Sequence, residues 1–308
     1  MLQLAVRRLL IAIPTMLVII AASFFLMHAA KGGPFDREHQ LPDDIKRRVE
    51  AHFRLDQPVP VQLAYYLGDL AHGDLGPSMK YKDKSVGDII SEGLPTSMLL
   101  GLSSVTIALV LGTALGSWAA VRQNHAQDYL AMSVALIGVC MPALVTGPLL
   151  QLAFGVKLHW LPTAGLARDQ YSLSHLILPI ATLALPQIAV ISRLMRASMI
   201  EALRSNAVRT ARAKGLPEVN VVWRHALPIA ALPVVSYLGP AIAGALTGSI
   251  VIEQTFGQPG VGRQFATAAL NRDYTLVMGA VIVYAALIIL MNLVVDLVYR
   301  ALDPRARA

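Results

Sequence analysis

The sequence is short of charge and nearly empty of cysteine. Only 15% of its 308 residues are Asp, Glu, Lys or Arg, where soluble domains carry about 25%. With so little charge and 55% apolar residues, a chain of this length cannot cover a water-facing surface. The excess must face lipid. The same deficit excludes intrinsic disorder, which needs high charge and low apolar content. The single cysteine, Cys140, permits no internal disulfide, so the fold does not depend on oxidation. One thiol also excludes a thiolate metal cluster, and the eight histidines are scattered.

Motifs of self-contained catalysis are missing as well. No G-x-x-x-x-G-K-[ST] occurs, so the chain holds no phosphate loop of its own, and neither H-E-x-x-H nor G-x-S-x-G is present. The glycine-rich run Gly257-Gln-Pro259-Gly260-Val-Gly262 follows a long apolar stretch. It reads as a turn or re-entrant element rather than a phosphate cradle. The chain is therefore not expected to be an enzyme.

Long apolar runs are what the sequence does have. Six are long enough to cross a bilayer: Leu9–Ala30, Ser97–Val121, Tyr129–Val156, Leu176–Leu194, Ile229–Ile252 and Leu276–Tyr299. The first exceeds a signal-peptide core and lacks a clear cleavage site, so it reads as a retained helix. Inside the six runs the only fully charged residues are Arg193 and Asp296, near their ends. Proton and ion relays need more intramembrane charge than that, so any transport would draw its energy from elsewhere.

The net charge of +7 resembles a nucleic-acid footprint until it is mapped. With the N-terminus in the cytoplasm, the cytoplasmic pieces 1–8, 122–128, 195–228 and 300–308, with Arg193, hold 13 basic against 4 acidic residues. The outer pieces hold 13 against 14. The positive excess is thus on one side, as the positive-inside rule requires, and it faces anionic lipid rather than nucleic acid. The expected organisation is an N-terminal span (1–30), an extracytoplasmic segment (31–96), a core of five further spans (97–299) and a cytoplasmic tail (300–308). Within 31–96 the sequence predicts helices over Asp43–His52 and Val61–Ala71, then a turn-rich stretch and membrane re-entry at Pro95.

The interior prolines Pro142, Pro148, Pro179, Pro186, Pro233 and Pro240 each remove a helical hydrogen bond. They fit ordinary kinked packing or helices bent around a path. The pairs Gly112/Gly116 and Gly244/Gly248 have the spacing of close helix approach. Between the fourth and fifth spans, Ser198 and Glu201 have capping-box spacing. They predict a helix from there to about Lys214, stopped at Gly215. A second short helix, Glu218–Ala226, is expected to end at Leu227-Pro228. Apolar Ile200, Leu203, Ala207, Val208 and Ala211 recur at helical spacing. Arg204, Arg209, Arg212 and Lys214 surround them. Such a loop suits docking on a cytoplasmic protein, or lying on anionic lipid.

The same loop carries a resemblance. It reads R-T-A-R-A-K-G from Arg209 to Gly215, then nine residues, then His225-Ala226-Leu227-Pro228. This resembles the EAA loop of permease subunits of binding-protein-dependent ABC importers, E-A-A-x-x-x-G, nine residues, I-x-L-P. Ala211, Gly215, Leu227 and Pro228 match; Arg209, Thr210 and His225 depart in the manner of the peptide/nickel branch. The basic pair Arg7-Arg8, H-G-D-L-G-P-S (72–78), Tyr81-Lys82-Asp83, G-Q-P-G-V-G (257–262), N-R-D-Y (271–274) and L-D-P-R (302–305) agree. The chain looks closest to the B-type permeases of oligopeptide importers, with dipeptide, glutathione and nickel permeases as alternatives. A self-sufficient channel or secondary carrier is a remote one.

The resemblance implies an all-α integral membrane protein of the bacterial inner membrane, with the type I importer permease fold. It also implies a C-type permease partner, two cytoplasmic ATPases that bind ATP and Mg, and an extracytoplasmic peptide-binding protein. No cofactor is expected in this chain. Coupling to an ATPase is implied for Arg209, Thr210, Ala211, Arg212, Lys214, Gly215, Leu216, Leu227 and Pro228.

Overall fold

A computed structural model describes residues 2–29, 43–165 and 173–302. Residues 30–42, the stretch 166–172 and the tail from Asp303, with most of L-D-P-R, lie outside the described residues. Among those described there is no β-strand; one isolated antiparallel bridge pairs Pro77 with Ser85. The helices in chain order are α1 (Leu2–Ala29), α2 (Asp43–His52), α3 (Val59–Ala71), α4 (Val86–Val121), α5 (Ala126–Cys140) and α6 (Ala143–Leu150). They continue with α7 (Leu173–Leu203), α8 (Asn206–Ala213), α9 (Glu218–Asn220), α10 (Leu227–Phe256), α11 (Val261–Asn271) and α12 (Tyr274–Leu302).

Among the described residues, five helical segments are long and apolar enough to cross a membrane unbroken; the third expected span is not. α5 and α6 form a pair bent by 105°. Met141, which precedes Pro142, is extended at φ −91 and ψ 116. A residue before proline is disfavoured in the helical region, and proline brings no N–H to continue the ladder. A π-helical turn, Gln151–Lys157, prolongs α6. By contrast α4 runs through Pro95 and begins at Val86, earlier than the re-entry point expected from the proline.

The chain divides into two compact units. The first comprises 1–97 and 259–289. Its apolar centre is Ile20 and Phe24 of α1 with Met278 and Ile282 of α12, flanked by Val59, Leu63, Leu67 and Leu70 of α3. Polar side chains stitch its margin. His28 contacts the Phe24 carbonyl through Nδ1 at 2.8 Å and Gln62 Oε1 through Nε2 at 3.1 Å. Its ring stacks on Phe24 at 4.3 Å, so it binds α1 to α3. The buried Tyr66 hydroxyl finds no hydrogen-bond partner among the described residues, and burial pushes its phenol well above the ordinary tyrosine range.

The second unit comprises 98–258 and 290–308. Gly112 and Gly116 let α4 lie directly on α7. A Cβ on Gly112 would stand 2.8 Å from Ile191 Cγ2, and one on Gly116 would collide with the Ser192 carbonyl oxygen. The other pair behaves differently: a Cβ on Gly244 or Gly248 would meet only side-chain atoms at 3.4 and 3.7 Å. Among the described residues that pair makes no close approach. The exposed positions of α10 beyond Ile229 include Pro233, Ser236, Pro240, Gly244, Thr247 and Gln254, and no large apolar side chain is exposed there. The exposed faces of α1, α4 and α5 are instead rich in Leu, Ile and Val.

Candidate functional site

The 198–228 loop begins later than its sequence predicts. α7 continues through Ser198 and Glu201 to Leu203, so that capping-box spacing caps nothing. A cap needs a break in the backbone before it, and nothing there interrupts a run of good helix formers. The chain turns at Arg204-Ser205 instead. Ser205 is extended, and its hydroxyl accepts the Val208 N–H at 3.4 Å, which starts α8. α8 stops where glycine was expected to stop it. Gly215 is left-handed at φ +73, and its N–H bonds the Arg212 carbonyl at 2.9 Å. Arg212 and Glu218 form a two-pronged ion pair across that turn, with contacts of 2.5 and 3.1 Å.

The two faces of α8 follow from the helical period. Val208 (0% exposed) and Ala211 (3%) point into an apolar block. That block also contains Ala120 of α4, Met195, Met199 and Ala202 of α7, Val221, Ala226, and Ala230 and Val234 of α10. Arg209, Thr210, Arg212, Lys214, Gly215 and Leu216 are exposed. Asn206, Thr210, Lys214, Leu216 and His225 border a shallow cavity of about 430 Å³. The site residues foreseen from the loop motif therefore separate. Ala211 is buried within the chain, and Leu227 packs against the same block, so neither belongs to the exposed face.

Pro228 does not end a helix. From Glu218 the chain stays helical to Phe256. A π-helical turn, Val221–Ala226, lies between α9 and α10. Pro228 comes just after that π-helical turn, at the start of α10 and inside the unbroken helical run. The loop is thus continuous with the fifth span, not hinged to it.

The other foreseen motifs are structural turns. Gly257 is left-handed at φ +65 and closes α10. Gly260 caps α11; Pro259 is half-buried and Gly262 is buried. The Val261 N–H donates to Ser97 Oγ at 2.9 Å, and a Cβ on Gly93 would lie 2.9 Å from that nitrogen. The H-G-D-L-G-P-S and N-R-D-Y runs, far apart in sequence, meet. Asp273 is fully buried. Its carboxylate accepts from Ser78 Oγ at 2.5 Å, Met79 N at 3.2 Å and Leu276 N at 3.1 Å. The Thr275 hydroxyl donates to the Pro77 carbonyl at 2.7 Å.

One pair was not foreseen. Asp128, counted as a loop residue in the sequence, is 1% exposed and faces Arg196 of α7. Arg196 donates through Nε at 2.5 Å and Nη2 at 2.6 Å. The Asn124 N–H adds a third bond to the same carboxylate at 3.0 Å. The available signal was an acidic residue in the first turn of a helix, which by itself indicates only favourable helix-dipole placement.

Residues 112–308 match the family model described as binding-protein-dependent transport system inner membrane component. The chain belongs to that family. It is 47% identical over 307 residues, covering all of both chains, to the oligopeptide transport system permease protein OppB of Escherichia coli K12. The dipeptide transport system permease protein DppB of Bacillus subtilis is 40% identical over 293 residues, 95% of this chain and 94% of its own. A crystal structure of an amino acid ABC transporter with histidines aligns with 71% of this chain and 94% of its own, at a TM-score of 0.49 and 18% identity. The family is one of membrane components of transport systems, consistent with the apolar helices described above.

Proposed function

We propose that this chain is one of two pore-forming permease subunits of an ATP-driven peptide importer, with oligopeptides as its substrates. The observation that carries the reading is the 47% identity running the full length of both chains to a protein named for oligopeptide transport. A dipeptide substrate is the second reading, supported by the 40% identity to a dipeptide permease. In this reading both termini and the 198–228 loop are cytoplasmic. α8 is the coupling helix, and two ATPase subunits hold ATP and Mg. Arg209, Thr210, Lys214, Gly215 and Leu216 present the surface that enters an ATPase groove. A homologous C-type permease completes the pore, and a binding protein delivers peptide from the other side.

The geometry supports that assignment in two ways. The outer face of α8 is polar while its inner face is rooted in the ends of three spans. A push on it moves those ends together. The small and polar exposed face of α10 is unsuited to lipid and fits a neighbouring subunit or a wet path. The test is reconstitution with the partner permease, ATPases and binding protein, followed by uptake of labelled dipeptides and longer peptides. ATP-dependent uptake favouring longer peptides is expected. Preference for dipeptides moves the assignment to the second reading. No peptide uptake with all partners present overturns both.

A further inference from the structure

α8 shares one apolar block with the ends of α4, α7 and α10, but among the described residues α5 contributes nothing to that block. α5 lies instead along α7 on small side chains. Ala131 and Ala135 are buried, and one turn on, a Cβ at Gly138 would stand 3.2 Å from the Leu185 carbonyl oxygen. A seam of this kind permits close approach but offers few interlocking side chains to resist sliding along the helix axis. The register is fixed at one end. There the Arg196 fork holds the Asp128 carboxylate through two bonds of 2.5 and 2.6 Å. The left-handed turn at Asn124, φ +64, gives the carboxylate its third bond. Arg204 reinforces the same corner, donating to Gln123 Oε1 at 3.4 Å. Arg196 follows Met195 on α7, and Met195 belongs to the block that roots α8. A slip of one turn would leave a buried carboxylate uncompensated, which proteins resist strongly.

We infer that Asp128 and Arg196 are positioning residues that lock α5 in register with α7. Through them a displacement of α8 reaches the bent third span as well as α10. The inference rests on the reading of α8 as the coupling helix of a peptide importer. Its test compares peptide moved per ATP hydrolysed, in vesicles holding the complete importer, for Asp128→Asn, Arg196→Gln and the double variant. Each single variant is expected to assemble with its partners and hydrolyse ATP, yet move about fivefold less peptide per ATP. The double variant should be no worse than either single one, because the two residues act as a unit. If Asp128→Asn fails to assemble, Arg196→Lys keeps the charge but loses the fork; it should show a smaller loss in the same ratio. An unchanged ratio in the variants, or additive losses in the double, overturns the positioning role alone. A wild-type complex that moves no peptide overturns the functional reading and this inference with it.

Discussion

Two regions of the chain solve the same problem in opposite ways. The 198–228 loop is anchored by apolar contact. Val208, Ala211, Val221 and Ala226 are buried with Met195 and Met199, while the charged residues of α8 stay outside. The margin of the first unit is anchored by directional polar bonds: Asp273 to Ser78, Met79 and Leu276, and His28 to Gln62. Apolar contact is non-directional, so the loop can be displaced as a body without losing its anchorage. A buried carboxylate with fixed donors holds one geometry. The first arrangement suits a part that moves with its supports; the second suits a part that keeps its shape.

The contrast breaks most readily at Asp273. Asp273→Ala removes the shared acceptor of several buried or half-buried donors and should destabilise the protein by on the order of 3 kcal/mol. A lowered midpoint in thermal unfolding of the detergent-solubilised chain would register it. A shift within error of wild type would mean that the polar stitching is incidental. A smaller effect is expected at Gly215. Nothing in this chain lies within 4 Å of a Cβ built there, so the cost of a side chain within the chain is the left-handed backbone. Gly215→Val should cost about 1–2 kcal/mol locally and uncouple ATP hydrolysis from uptake. Gly215→Asn, which tolerates that conformation, should restore coupling. Equal uptake by the Gly215→Val and wild-type importers would show that the left-handed glycine plays no part in coupling. The smallest effect belongs to the ion pair beside it. Arg212 and Glu218 are about half exposed, so Arg212→Gln should change stability by less than about 0.5 kcal/mol. A large loss of ATPase association in that variant would show that Arg212 serves the partner and not the turn.

The sequence made some of this plain and hid the rest for identifiable reasons. Five spans were legible because lipid demands long apolar runs, and the end of α8 was legible because glycine is the residue that tolerates its left-handed turn. Pro142 marked a kink in the third span but did not show that the span would turn through 105° there. Leu130, Val134, Leu136 and Ile137 before it and Leu144, Val145, Leu149 and Leu152 after it are all exposed and apolar, so hydropathy carries no trace of the change in direction. Ser198 and Glu201 misled because their spacing is local, whereas a helix end depends on what the backbone does before them. The partnerships of Asp128 with Arg196 and of Ser78 with Asp273 join residues 68 and 195 positions apart. Each residue alone looks like an ordinary helix-start or turn residue. Nothing in one sequence indicates the pairing.

The single cysteine has a use that its scarcity did not foretell. Cys140 is exposed and is the last residue of α5, at the elbow where the third span changes direction. A thiol-directed spin label or fluorophore added to the wild-type chain can attach nowhere else within it. The protein therefore comes with a built-in reporter at that elbow, and the label's mobility and surroundings there can be followed through a transport cycle without altering a residue.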